Sequence, residues 1–450
     1  MSTTLEALPR ARAGILASDL AQRRGLVTDL IGLILEVSGL AAEVGELCLV
    51  GDPSPRARRV PIPCEVVGFR AGRTLLMPLG ELSGIGPGTP VTPTGAPFRV
   101  GVGPELLGRV VDGLGTPLDG RGPLGTRMRV RTDAAPPDAF TRPRIERRVG
   151  LGVRALDTLV PCGIGQRLGI FAGSGVGKSS LMGMIARSTS AQVNVIALVG
   201  ERGREVREFI ERDLGDALKH SVVVVATSDQ PALVRIRAAF TATAIAEYFR
   251  DQGHEVMLMM DSVTRFAMAQ RELGLAIGEP PATRGYTPSV FALLPRLLER
   301  AGTSPRGSIT GLYTVLVDGD DMNEPIADAV RSILDGHIVL SRDLAHAGHY
   351  PAIDVLASVS RLVSEILEPG TRAAGDGLRA ALAAYRDKQD LISIGAYVRG
   401  TDPLADAAVA LMPAINAFLR QRVDEPAGLE EADERLLALA SELIGRGPQG

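Results

Sequence analysis

The chain contains no tryptophan, and aromatic residues fill only 4% of its 450 positions. Each Tyr or Phe in a key loop therefore carries weight. Cysteine occurs three times, at Cys48, Cys64 and Cys162. The three are widely spaced and form neither a metal-ligand pattern nor an even set, so they read as core thiols in a reducing compartment. No apolar run approaches the ~18 residues of a membrane span. The N-terminus lacks the basic-then-apolar layout of a secretory leader, which makes a cytoplasmic location the default. An excess of one charge is missing too: the balance is −3, too small for bulk attraction to nucleic acid. What remains is an ordinary globular composition, 45% hydrophobic and 22% charged, with length for about two to four domains.

Glycine, by contrast, is abundant, and its most informative cluster is Phe171-Ala-Gly-Ser-Gly-Val-Gly-Lys-Ser-Ser180. The apolar run Leu168–Phe171 before it reads as a buried strand, and Leu181–Ala186 after it as a helix. Strand, glycine-rich loop, Gly-Lys-Ser and helix form the order of a phosphate-binding loop. Gly173, Ser174, Gly175, Val176 and Gly177 would turn their N–H groups inward on phosphate oxygens, and Ser180 continues the cradle. The helix N-terminus adds positive potential. Lys178 would reach the β- and γ-phosphates, and Ser179 would offer a hydroxyl to Mg²⁺. The strict pattern opens with glycine where Ala172 stands here. A methyl group at a strand end is compatible with the loop if the tight approach falls on the later glycines.

The rest of the chain divides around this loop. Residues 1–24 carry Leu5, Leu8, Ile15, Leu16 and Leu20 among arginines, a marginal amphipathic helix that either docks on a partner or frays. Residues 25–97 hold short β-type runs (Leu33–Val37, Glu46–Val50, Cys64–Phe69, Thr74–Met77) punctuated by glycines, which points to a small barrel or sandwich. Residues 98–150 read as a turn-rich connector with an arginine-rich stretch, either a basic binding segment or a linker clamped by acidic partners. Together with residues 151–368 they make the nucleotide domain. There Val193–Val199, Ser221–Ala226, Val256–Met260 and Leu312–Val317 are the continuous apolar runs of buried parallel strands, separated by helical periodicity. From 369 to 450 strand signals vanish and Ala/Leu-rich helices follow. The fold class is therefore α/β, with a small N-terminal β-domain and a C-terminal helical one.

Three further marks bear on chemistry. The strand Glu255–Met260 ends in Asp261, where a carboxylate can hold the shell of a magnesium ion. The run Ala197-Leu-Val-Gly ends in Glu201, placed to polarise an attacking water. Arg361, in Ala357-Ser-Val-Ser-Arg361, ends a strand on the far side of the domain and suits a neighbouring chain's γ-phosphate better than its own.

Longer stretches sharpen this. Glu201-Arg-Gly-Arg-Glu205, Asp261-Ser-Val-Thr-Arg-Phe-Ala-Met-Ala-Gln-Arg271, Gly278-Glu-Pro-Pro-Ala-Thr-Arg-Gly-Tyr286, Val317–Pro325 and Ser332–Arg342 resemble the type III protein-export ATPases, relatives of the rotary ATP synthase subunits. The resemblance runs from about residue 25 to the C-terminus, and Asp390–Asp402 is more similar to flagellar than to virulence members. It implies a RecA-like P-loop core behind an N-terminal β-barrel, Mg²⁺-dependent ATP hydrolysis and a homohexameric ring. By position it implies Glu201 as general base with Arg202 beside it, Arg265 near the γ-phosphate, Arg361 as the finger given to the adjacent subunit, and Tyr350 against the adenine. Gly319–Pro325 matches a loop facing a central stalk. Further implied partners are a stator-like regulator at the N-terminus, membrane proteins of an export gate, and export substrates with their chaperones, at the cytoplasmic face of the inner membrane. A ring-shaped RNA translocase shares the core but needs exposed aromatics in its N-terminal domain, and residues 25–97 offer only Phe69. A non-catalytic nucleotide-binding subunit tends to lack the glutamate that Glu201 supplies, and a rotary synthase catalytic subunit lacks the export-type motifs.

Overall fold

The computed structural model describes residues 24–52, 60–317, 319 and 321–446. The candidate docking helix lies outside them, apart from Arg24. Two compact units are present.

The first is a closed six-stranded barrel of Gly25–Ile31, Ile34–Ser38, Glu46–Val50, Ile62–Arg70, Arg73–Pro78 and Pro90–Pro97. Going round it, the strands follow the order first, second, fifth, fourth, third, sixth. Alternation sends Leu35, Val37, Val50, Val66 and Leu76 inward to one core. Cys48 and Cys64 face each other across the antiparallel pair, buried and free. Closure rests on a strand with three prolines, Pro90, Pro93 and Pro97. It bonds to Gly25–Leu26 on one side and, with a register break between Glu46 and Cys48, to the third strand on the other. Proline is tolerated where the ladder is already interrupted.

The second unit is built on a nine-stranded sheet. Its main path runs Val359–Ser360, Gly336–Leu340, Arg167–Ala172, Ser308–Leu316, Glu255–Asp261, Val193–Val199, Ser221–Ala226, Arg109–Asp112. All neighbours on this path are parallel except the first pair. Every residue of Val193–Val199 and of Ser221–Ala226 is buried, because helices cover both faces of such a sheet. Arg109–Asp112 is a difference from the sequence reading: the turn-rich connector contributes an edge strand, paired with Val222–Val225. Four residues set between glycine turns carry too little pattern to announce it. Three of the connector's arginines are clamped within this unit. Arg147 pairs with Glu255 at 2.6 Å, Arg148 grips Asp433 through two bonds, and Arg142 donates to the carbonyls of Glu299 and Ala301.

Helices Pro369–Ser393, Pro403–Leu419 and Leu429–Arg446 complete the unit. Each of the first two starts with proline at its first turn, and Asp402 caps the second by accepting from Leu404 and Ala405 N–H groups. Leu378, Leu411, Ile415, Phe418 and Leu436 join the same apolar core as Leu168, Ile170 and Ile338 of the sheet.

Candidate active site

Register decides what meets at the carboxyl edge of the sheet. Ala172 stands level with Leu316, Asp261 with Leu198, and Val199 with Ala226. The segments that follow these strands therefore open onto one crevice, as in other open parallel sheets.

The phosphate loop leaves Ala172, which is a fully paired strand residue, so its methyl group costs the loop nothing. The strained positions fall on Gly175 and Gly177, with φ of +79° and +94°, a region that glycine enters freely. Gly177 caps the helix Lys178–Ser188, which starts at the lysine itself. Ser179 and Ser180 lie in its first turn, beside backbone N–H groups that have no partner within the helix.

Lys178 Nζ lies 2.5 Å from Asp261 Oδ1 and 3.7 Å from Glu201 Oε1. Asp261 is held from behind by Thr314, whose hydroxyl donates to Oδ1 at 2.7 Å. Glu201 Oε1 is buried and makes no hydrogen bond. Burial first, and the neighbouring Asp261 charge second, push the Glu201 carboxyl up to about 7, against the pull of Lys178. Arg265 also lowers it, and a hydrogen bond that the protonated Glu201 carboxyl donates to Glu205 raises it. The stem of Arg265 crosses Gly200: a Cβ there would sit 2.8 Å from Arg265 Cβ, and the φ of +73° already favours glycine. The buried Arg265 Nε has no partner. Lys178, Glu201, Asp261 and Arg265 thus converge, one ammonium and one guanidinium among two carboxylates, with Lys178, Glu201 and Asp261 largely buried.

Two expected residues stand elsewhere. Arg202 is exposed and reaches only Glu205, at 3.6 Å. Arg361 follows the edge strand Val359–Ser360, and its N–H donates to Asp335 O. Ser360 pairs with Gly336, and the next residue, His337, stands level with Gly169. Arg361 therefore lies about five residues, or ~16 Å, down the sheet from the end of the phosphate-loop strand. It is exposed at the opposite edge, out of reach of its own loop.

Tyr350 stands against the loop: a Cβ on Gly177 would touch its ring at 3.5 Å. Tyr350 and Pro351, the face of Leu181 and Met184, and the segment Arg420–Glu425 enclose a cavity of about 580 Å³, a size suited to a small ligand. Sequence reasoning missed that far wall, as it missed Thr314 and Gly200. Gly200 alone had a local signal, a glycine between a strand end and a carboxylate. Among the described residues no group of three or more His, Cys, Asp or Glu is placed to hold a metal ion unaided.

Three family models match the chain: the beta-barrel domain of the ATP synthase alpha/beta family over residues 27–95, its nucleotide-binding domain over 152–360, and the T3SS EscN ATPase C-terminal domain over 367–438. The flagellum-specific ATP synthase of Bacillus subtilis is 56% identical over 94% of this chain and 96% of its own. The type 3 secretion system ATPase of Xanthomonas euvesicatoria is 51% identical over 94% and 95%. The assembled ATPase EscN from enteropathogenic E. coli, solved in complex with its central stalk EscO, is 45% identical, covers 92% of this chain and 100% of its own, and superposes with a TM-score of 0.85. Barrel, nucleotide-binding sheet and export-type C-terminal helices occur here in that order, and the chain belongs to the family of flagellum-specific and type III secretion ATPases.

Proposed function

We propose that the chain hydrolyses ATP to ADP and phosphate as a homohexameric ring, and that this drives or facilitates export of flagellar proteins through a type III apparatus. The observation that carries the reading is the meeting of Lys178, Glu201 and Asp261 at the end of the phosphate-loop strand. Glu201, with an oxygen that accepts no hydrogen bond and a carboxyl pushed up to about 7, is a base matched to neutral pH. It takes the proton of the attacking water. Lys178 and the loop N–H groups hold the β- and γ-phosphates in line.

The donor set fits a magnesium ion shared with the nucleotide: one hydroxyl, Ser179, and one carboxylate, Asp261, with phosphate oxygens completing the shell. Such an ion supplies charge neutralisation at the phosphates. The adenine occupies the cavity beside Tyr350. Arg361 completes the site of the adjacent subunit, which its position at the opposite sheet edge supports, and Arg202 flanks Glu201.

The flagellar assignment is supported by the Bacillus relative; the Xanthomonas relative makes virulence secretion the alternative. A central stalk protein is the partner of the pore-facing loop Gly319–Pro325, by analogy with EscN and EscO. The stator-like regulator, the export gate, and export substrates with their chaperones are the remaining partners. No described helix is long and apolar enough to cross a membrane, which agrees with a peripheral protein at the cytoplasmic face of the inner membrane. Replacing Glu201→Gln should preserve ATP binding and abolish turnover, since an amide cannot accept the water's proton. Turnover at the wild-type rate in that variant overturns the reading.

A further inference from the structure

Arg154 is 1% exposed and takes no part in the chemistry above. It opens the short helix Arg154–Leu159 and faces the segment that forms the far wall of the base cavity. Its Nε donates to Phe418 O at 3.2 Å, its Nη2 to Arg420 O at 2.6 Å, and its Nη1 to the Glu425 carboxylate. Its backbone N–H donates to Gln421 Oε1 at 2.9 Å. Gln421 passes the connection on. Its Nε2 donates to Gly152 O and Glu425 O, both at 2.8 Å, and its backbone N–H to Tyr350 O at 3.0 Å. At the other end Arg187, in the last turn of the phosphate-loop helix, donates to Val423 O at 2.7 Å.

The segment Arg420–Glu425 lies between two helices and has no regular structure of its own. Three of its carbonyls, those of Arg420, Val423 and Glu425, find their donors on the side chains of Arg154, Arg187 and Gln421. A planar guanidinium with a fixed fork of donors sets the spacing of several acceptors at once, which an ammonium cannot do. Both walls of the cavity, Tyr350 and the 420–425 segment, are therefore tied to one buried network.

We infer that Arg154, assisted by Arg187, is a positioning residue that fixes the width of the base cavity and thereby the affinity for the nucleoside half of the nucleotide. It touches neither the nucleotide nor the reacting phosphates. The inference rests on the reading of this cavity as an ATPase's base pocket.

Arg154→Lys in the full chain keeps the charge opposite Glu425 and loses the fork. KM for ATP should rise about five- to tenfold, with kcat within about twofold. Inhibition by inorganic tripolyphosphate, which fills the phosphate loop alone, should be unchanged. Arg187→Ala, at the less buried end, should give the same pattern with a smaller KM rise; it decides the matter alone if Arg154→Lys does not fold. An unchanged KM in the folded variants, or equal weakening of ATP and tripolyphosphate, overturns the inference. Absence of ATP turnover in the wild-type chain refutes the function proposed above instead.

Discussion

Protonation of Glu201 should be visible in the rate. An ordinary glutamate, near 4.5, is fully ionised by pH 6; burial and the Asp261 charge carry this one to about 7. A base acts only when deprotonated, so kcat/KM for ATP, which reports the free enzyme, should stand at about half its plateau at pH 7, about a tenth at pH 6 and about nine tenths at pH 8. Removing Glu205 as the acceptor for the protonated Glu201 carboxyl, a bond that raises the Glu201 value, should move the midpoint toward acid in Glu205→Ala. The same group leaves a mark on stability. Its folded value is raised, so its stabilising contribution is complete below about 4.5 and lost as pH climbs through about 7. Glu201→Gln stays neutral throughout, so its Tm advantage over the wild type should grow from pH 5 to pH 8 and vanish in acid. Phosphate release and thermal unfolding measured across pH 5–8.5 test both halves. A rate that does not change between pH 6 and pH 8 refutes the account of Glu201 as a base tuned by burial.

Lys178→Ala should weaken nucleotide binding as well as turnover, because it meets phosphate charge present before reaction. It should also lower stability by roughly 1–3 kcal/mol, since it strips the largely buried Asp261 of its cation; nucleotide titration and denaturant melts read the two effects, and wild-type affinity would count against the phosphate-binding role. Specific activity should rise with protein concentration, and mixing Arg361→Ala with Glu201→Gln chains should restore turnover at roughly a quarter of the interfaces of a random ring. No recovery in demonstrated mixed rings would show that Arg361 does not act across subunits. Deleting residues 1–20 should spare basal hydrolysis and abolish co-purification with the stator-like regulator, as a short amphipathic helix needs a partner groove to be stable; undiminished capture removes that assignment.

How much could be read in advance varied with burial. Val193–Val199 and Ser221–Ala226 match their runs residue for residue, because strands covered on both faces are almost wholly apolar; their two polar residues, Asn194 and Ser221, bond to each other. The phosphate loop, Asp261 and Glu201 were legible because each follows such a strand. The barrel's closing strand Pro90–Pro97 was not: three prolines and a glycine argue against a strand, and only the partners on either side make it one. Arg420–Glu425 looks like an ordinary polar link between helices. Its place opposite Tyr350 comes from Arg154, some 270 positions earlier in the chain and bonded to it only after folding. Thr314 was hidden inside an apolar strand, where its hydroxyl had no visible purpose until register put it beside Asp261.

The two units also differ in when they can form during synthesis. The barrel takes all six strands from one unbroken stretch, so every pairing is available once Pro97 has left the ribosome. The phosphate-loop strand has the opposite circumstance: its two neighbours, Ser308–Leu316 and Gly336–Leu340, are made far later. Until both emerge, the glycine loop hangs from a strand with nothing on either side. Since domains generally fold as units during translation, a nascent chain should acquire a finished barrel early and its nucleotide pocket only near the end. ATP therefore cannot act as a folding template for the first half of this polypeptide.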